Sequence, residues 1–206
     1  MSMSIPYELT GRIQQKARTR AALIAAAREL LADGVTPTVE QAADRGAISR
    51  TTAYRYFSNQ RALLVASYPE LGAESLLDDG APADPAARLE LVTERFARQL
   101  VEHEAELRAM LLLSLQSAPP DRDALPLRQG RAIRWIEDAL APLRGRVGDD
   151  DLRRLVLGIR ATLGIEPLVW LTDVAGLSRD DAVDLMRASA RALLRAVLAD
   201  AGIDAR

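Results

Sequence analysis

The 206-residue chain contains no cysteine. That excludes disulfides, thiolate zinc sites, iron–sulfur ligation and cysteine nucleophiles together. Aromatic residues make up only 4% of it, and it holds a single histidine. Alternating runs of β-branched residues, the mark of half-buried strands, are missing. There is no Gly-rich phosphate loop and no His-Glu-x-x-His spacing. The sole histidine, His103, sits between Glu102 and Glu104 and reads as part of a charged helix surface. Neither an enzyme, a bound metal nor a resident cofactor is expected. The N-terminus has no basic-then-apolar leader, and no uncharged run approaches the ~20 residues that span a bilayer. The expected setting is therefore the cytoplasm, with no membrane partner.

What is present points to helices. Hydrophobic residues at 49% and charged residues at 27% are ordinary globular values. Alanine, leucine and arginine, all good helix formers, are abundant. The length allows one large domain or two small ones with a sizeable core. An all-α protein with about nine helices is expected.

The net charge of −2 hides an asymmetry. Residues 1–64 carry nine basic and five acidic side chains, whereas residues 65–206 carry 18 basic and 24 acidic. The N-terminal third is thus positive and the rest negative. Phosphate binding depends on such a local basic face and not on the charge of the whole chain.

The helical pattern can be followed along the chain. Residues 1–15 read as a partly ordered arm. From Lys16 to Asp33 the residues Leu23, Ala27, Leu30 and Leu31 form one helix face, and Gly34 is a natural stop. A further helix from Asn59 to about Tyr68 meets Pro69, which should end or kink it. Asp84-Pro85 suits an N-cap followed by proline in the first turn. Helices are expected from Pro85 to about His103, on to Gln116 after a bend, and from about Pro126 to Ala141. Ser117–Asp123 reads as a loop between them. Two long helices close the chain: Asp150 to Val174, with a kink at Pro167, and one capped by Ser178 that runs to about Asp200.

The segment Thr38–Phe57 carries the clearest functional signal. Thr38 is a good N-cap, with Gln41 placed to complete a capping box. Gly46-Ala47-Ile48 breaks the first short helix, and Ser49 caps a second one. Its outward side would carry Arg50, Thr51, Thr52, Tyr54 and Arg55, while Ala53 and Phe57 face inward. Two helices joined by a short Gly-containing turn form a helix-turn-helix, whose second helix enters the DNA major groove.

This N-terminal quarter resembles the tetracycline-repressor (TetR) family of bacterial transcription regulators. The resemblance rests on Arg18-Thr19-Arg20, Ala26-Ala27, Leu30, Gly34, Thr38, Ala43, Ile48-Ser49, Tyr54, Phe57 and Ala62-Leu63-Leu64, over roughly residues 12–66. It departs from the family at two places. The usual Ala-Gly order is reversed in Gly46-Ala47, which puts alanine where a positive φ is preferred. The lysine common at the start of the fourth helix is replaced by Gln60, followed by Arg61.

The resemblance implies a helix-turn-helix DNA-binding domain at residues 1–66, including the arm 1–15, and a helical regulatory and dimerisation domain at 67–206. Base reading is expected from Arg50, which can pair bidentately with guanine, and from Thr51 and Tyr56. Phosphate contacts are expected from Lys16, Arg18, Arg20, Thr38, Thr52, Tyr54 and Gln60 or Arg61. The partner would be a double-stranded palindromic operator, bound by a homodimer joined through the helices near 150–174 and 178–200. Family members commonly hold a small molecule in the C-terminal body. Here Phe96, Met110, Leu113, Trp135, Arg160, Glu166 and Trp170 are the candidates to line such a pocket, although simple core packing is the favoured reading of Phe96, Met110, Trp135 and Trp170. A ligand-responsive repressor is the leading expectation. A DNA-binding regulator without small-molecule input and a helical interaction module are the alternatives.

Overall fold

A computed structural model describes residues 7–67, 75–116 and 130–203, with side chains from Ile13 onward. The loop expected at Ser117–Asp123, the stop at Pro69 and the start of the helix expected at Pro126 lie outside the described residues. Among those described there is no β-strand, and nine α-helices have seven residues or more.

The first helix, α1 (Tyr7–Ala32), begins well before the expected Lys16. Residues 7–15 belong to it and do not form an arm. Gly34 adopts φ 79°, a left-handed stop at which the Val35 amide returns to the Leu30 carbonyl at 2.8 Å. Then come α2 (Val39–Arg45), α3 (Arg50–Tyr56) and α4 (Gln60–Ser67). Leu23, Ala27, Val39, Ala42, Ala43, Ala53, Phe57 and Leu63 make one small core among these four helices.

The remaining described residues build a second, larger core. It is formed by α5 (Pro85–Glu102), α6 (Glu104–Gln116), α7 (Arg131–Ala139), α8 (Asp149–Thr162), the short α9 (Ile165–Val169) and α10 (Arg179–Asp200). Asp84 caps α5 and Pro85 fills its first turn, as expected. Ser178 caps α10 by accepting the Asp181 amide at 3.1 Å. Leu31 at the end of α1 and Leu64 of α4 also enter this core, so the two hydrophobic units share a seam.

One expectation needs correcting. The stretch from Asp150 to Val174 is not one helix kinked at Pro167. The break falls at Leu163-Gly164, three residues earlier. Leu163 is extended, and the Arg160 guanidinium donates to its carbonyl at 3.2 Å while pairing with Glu166 at 3.2 Å. A Cβ on Gly164 would collide with both side chains, so only glycine lets this pair close over the backbone. Pro167 then falls in the first turn of α9, where a missing N–H costs nothing. The chain continues through a π-turn at Trp170–Val174. By length and composition Asp149–Val174 could cross a membrane, but the break interrupts it. Leu155, Val156, Ile159, Leu163, Ile165 and Leu168 lie buried in the core.

Candidate nucleic-acid interface

The geometry of α2 and α3 is set by their caps. Thr38 Oγ1 accepts the Gln41 amide at 3.2 Å, and Gln41 Oε1 accepts the Thr38 amide at 2.8 Å, completing the expected capping box. Ser49 Oγ accepts the Thr52 amide at 3.3 Å and donates to Thr52 Oγ1 at 2.8 Å. Between the caps the chain turns at Gly46-Ala47. Ala47 takes φ 51°, the only non-glycine positive φ among the described residues, while Gly46 sits at φ −84°. The reversed dipeptide thus places its alanine in the left-handed position, as the sequence indicated. Ile48 plugs into the small core beneath.

This frame orients α3. Ala53 is fully buried and Phe57 is 3% exposed, so both pack the helix onto the core. Arg50, Thr51, Tyr54 and Arg55 are exposed on the opposite side. Tyr56 is half-buried against the small core, and Thr52 is half-buried beside its cap. Of the three expected base readers, Arg50 and Thr51 therefore face outward, whereas Tyr56 is largely a packing residue.

The expected phosphate contacts divide in the same way. The Arg20 guanidinium stacks over the Phe57 ring at 5.5 Å, which brings α1 against the end of α3. Lys16 lies one turn earlier on the same side of α1. Arg18, two residues from each, falls roughly 200° around the helix from both. Its Nε donates to the Gln14 carbonyl at 3.5 Å. Arg18 is thus turned away from this face. The Gln60 amide donates to the Pro37 carbonyl at 3.1 Å and the Thr36 carbonyl at 3.5 Å, so it ties down the approach to α2. Arg61 is half-buried in the first turn of α4, which is capped by Asn59 Oδ1 accepting the Ala62 amide at 2.8 Å. That cap was not anticipated, although asparagine at this position is a standard signal.

Two acidic residues on the same face escaped the sequence reading. The Tyr54 hydroxyl donates to Glu40 Oε1 at 2.5 Å, and Arg50 Nη2 lies 3.7 Å from Asp44 Oδ2. The hydrogen bond from Tyr54 holds the Glu40 carboxyl below its usual range and pushes the tyrosine above its own. The available signal was the i, i+4 spacing of Glu40 and Asp44, which puts both on one side of α2.

The candidates for a ligand pocket sit in different environments. Phe96 and Trp135 are buried and meet edge to face at 5.4 Å, and Met110 is buried in the same large core. Leu113 is half-buried. Arg160 and Glu166 are occupied with each other. Trp170, expected inside, is 58% exposed in the π-turn. One cleft of about 570 Å³ opens between α8 and α10, and another of about 530 Å³ between the end of α1 and the α5–α6 corner. None of the seven residues lines either cleft.

No family model matches the chain, and no curated protein sequence matches it. Solved structures do. A TetR transcriptional regulator from Rhodococcus sp. RHA1 is 21% identical over 89% of this chain and 97% of its own, with a TM-score of 0.50. The fold is TetR-like. A TetR-family transcriptional regulator from Streptomyces coelicolor, 23% identical, covers 87% of this chain and 99% of its own with a TM-score of 0.44. Within the TetR-like fold, α1–α4 are the head that carries the helix-turn-helix, and α5–α10 are the helical body.

Proposed function

We propose that the protein is a dimeric, non-enzymatic DNA-binding transcription regulator that represses from a palindromic operator and is released by a small molecule. Residues 1–66 would be the DNA-reading unit and residues 67–206 the regulatory and dimerisation unit. The observation that carries this reading is the placement of α3. Its inner side, Ala53 and Phe57, is locked into a core, and its outer side presents Arg50, Thr51, Tyr54 and Arg55. A helix held that rigidly, with donors outward in a basic segment, suits base readout in a major groove.

Dimerisation has separate support. On α10, Leu185 is 47% exposed, and Ala192, Ala196 and Ala199 follow along the same exposed side. Leu157 of α8 is 43% exposed. These two helices pack against one another, and their outward sides offer a low-relief apolar surface suited to a second copy. Two heads then read two half-sites, which enlarges the small interface of one module. Release by a small molecule is supported by the TetR-like body. Its effector would act by changing the separation of the heads, in the cytoplasm where the DNA lies.

The test is binding to the DNA that flanks the coding region, at moderate salt and in the presence of excess unrelated DNA. A discrete, competitor-resistant complex of one dimer is expected. Binding that unrelated DNA removes completely would contradict the regulator reading.

A further inference from the structure

The outer side of α3 is not simply basic. Two of its outward side chains, Arg50 and Tyr54, are four residues apart and share a stripe of the helix. The facing stripe of α2 carries Glu40 and Asp44, also four residues apart. The two stripes pair in a ladder, Asp44 with Arg50 at 3.7 Å and Glu40 with Tyr54 at 2.5 Å. Both members of the first pair are about two-thirds exposed, so it is loose. The second is a short, charge-assisted hydrogen bond, and it fixes the carboxylate.

A carboxylate in that position is costly beside a phosphate backbone. It repels the phosphates that Lys16, Arg20 and Tyr54 would attract. It also consumes the only proton of the Tyr54 hydroxyl. In the first turn of α2 it also stabilises the helix N-terminus, and Tyr54 fixes which way it points. Tyr54 holds Glu40 at one oxygen, and the Glu40 backbone amide and the Thr38 side chain also bond the carboxylate; with about four acceptor positions it keeps one for an incoming donor. Among base edges in the major groove, the group that calls for a pure acceptor is the exocyclic amine of cytosine.

We infer that Glu40 is a specificity-determining residue of the DNA face, held by Tyr54 so that its carboxylate accepts a hydrogen bond from a cytosine N4 amine. This rests on the proposed DNA-binding function. On the operator, the amine satisfies the carboxylate. Elsewhere the carboxylate faces phosphates, the acceptor edges of guanine and thymine, or an adenine whose N6 amine is flanked by the N7 acceptor. Glu40 therefore adds discrimination by favouring one base and penalising the rest. Arg50, beside it, would read the guanine of a neighbouring pair.

The experiment measures competition by duplexes that vary one base pair at a time across the operator recovered with the wild-type protein. It uses wild type, Glu40→Ala and Tyr54→Phe. In wild type, one position per half-site should prefer cytosine by about tenfold. Glu40→Ala should flatten that position alone while raising affinity for unrelated DNA. Tyr54→Phe should flatten it in part, because the carboxylate loses its tether. Unchanged helicity and dimer content would exclude misfolding as the cause. Identical base preferences in wild type and Glu40→Ala, at any overall affinity, would overturn the inference and leave the DNA-binding function standing. If wild type recovers no preferred sequence at all, the function itself falls and this inference with it.

Discussion

Arg108 grips Asp173 with both arms of its guanidinium, Nη1 to Oδ2 at 2.6 Å and Nη2 to Oδ1 at 2.7 Å. Its remaining nitrogen, Nε, donates to the buried carboxylate of Glu104 at 2.7 Å, and Arg179 reaches that carboxylate from the start of α10 at 2.5 Å. The π-turn is thereby fastened to α6, and α6 to α10. Burial disfavours the charged form of Glu104, but the two arginines outweigh it and hold the carboxyl below its usual range. The Arg108 fork, helped by Thr172, holds Asp173 at about 2.

Arg108→Ala should destabilise the body by about 2–3 kcal/mol, mainly because Glu104 stays buried with one cationic partner fewer. The pH dependence has a definite sign. Both carboxyls are depressed in the folded state. Their contribution is therefore complete above the unfolded value near pH ~4 and disappears as pH falls through the folded values. Urea unfolding should show a wide gap between wild type and variant at pH 7 that narrows below pH ~4. A gap independent of pH would mean the cluster acts through packing alone.

Ala47 occupies a left-handed position that glycine would accept more readily. Ala47→Gly should stabilise the head by about 0.5–1 kcal/mol, the relief of strain exceeding the added flexibility of the unfolded chain. Gly46→Ala should do the opposite, since its Cβ would stand 3.2 Å from the Ala42 carbonyl oxygen. Thermal unfolding of the two variants distinguishes these outcomes, and a destabilised Ala47→Gly would refute the turn geometry.

Gln60 and Arg61 should separate cleanly. With the Gln60 amide spent on the Pro37 carbonyl, Gln60→Ala should cost about 1 kcal/mol of stability and leave the salt dependence of DNA binding unchanged. Arg61→Ala should reduce the salt slope by about 1. An unchanged salt slope in Arg61→Ala together with weakened DNA binding in Gln60→Ala would return the phosphate contact to Gln60.

Leu185→Glu places a charge in the proposed seam between copies. Sedimentation should show a monomer of unchanged helicity, with operator affinity reduced because a single head remains. A variant that stays dimeric would move the interface elsewhere.

Local signals were legible in the sequence wherever a short stretch of chain determined the outcome. The Thr38–Gln41 box, the Ser49, Asp84 and Ser178 caps, and the inward pair Ala53 and Phe57 depend on neighbours one turn away. The same holds for the strained Ala47. Features decided by distant or facing elements were not legible. Trp170 looked like a core residue, but beyond a helix break at Leu163-Gly164, across which Arg160 and Glu166 pair, it is exposed. Arg18 and Gln60 have the chemistry of phosphate contacts, but the sequence does not show that Arg18 lies about 200° around α1 from Lys16 and Arg20 or that the Gln60 amide bonds the Pro37 carbonyl. Glu40 and Asp44 carry no signal of their own in the sequence and gain their partners only where α3 lies across them.

The central claim is that the outer side of α3 reads base sequence. Its most direct measurement is selection of bound fragments from the source genome by wild type and by Arg50→Ala, at equal dimer concentration and moderate salt. Wild type should enrich a palindrome with half-sites centred about one helical turn, or a multiple of it, apart. Arg50→Ala should lose about 1–3 kcal/mol of preference at one guanine per half-site while keeping its fold. Equal enrichment of the same sites by both proteins, or no enriched sequence with wild type, would contradict the account.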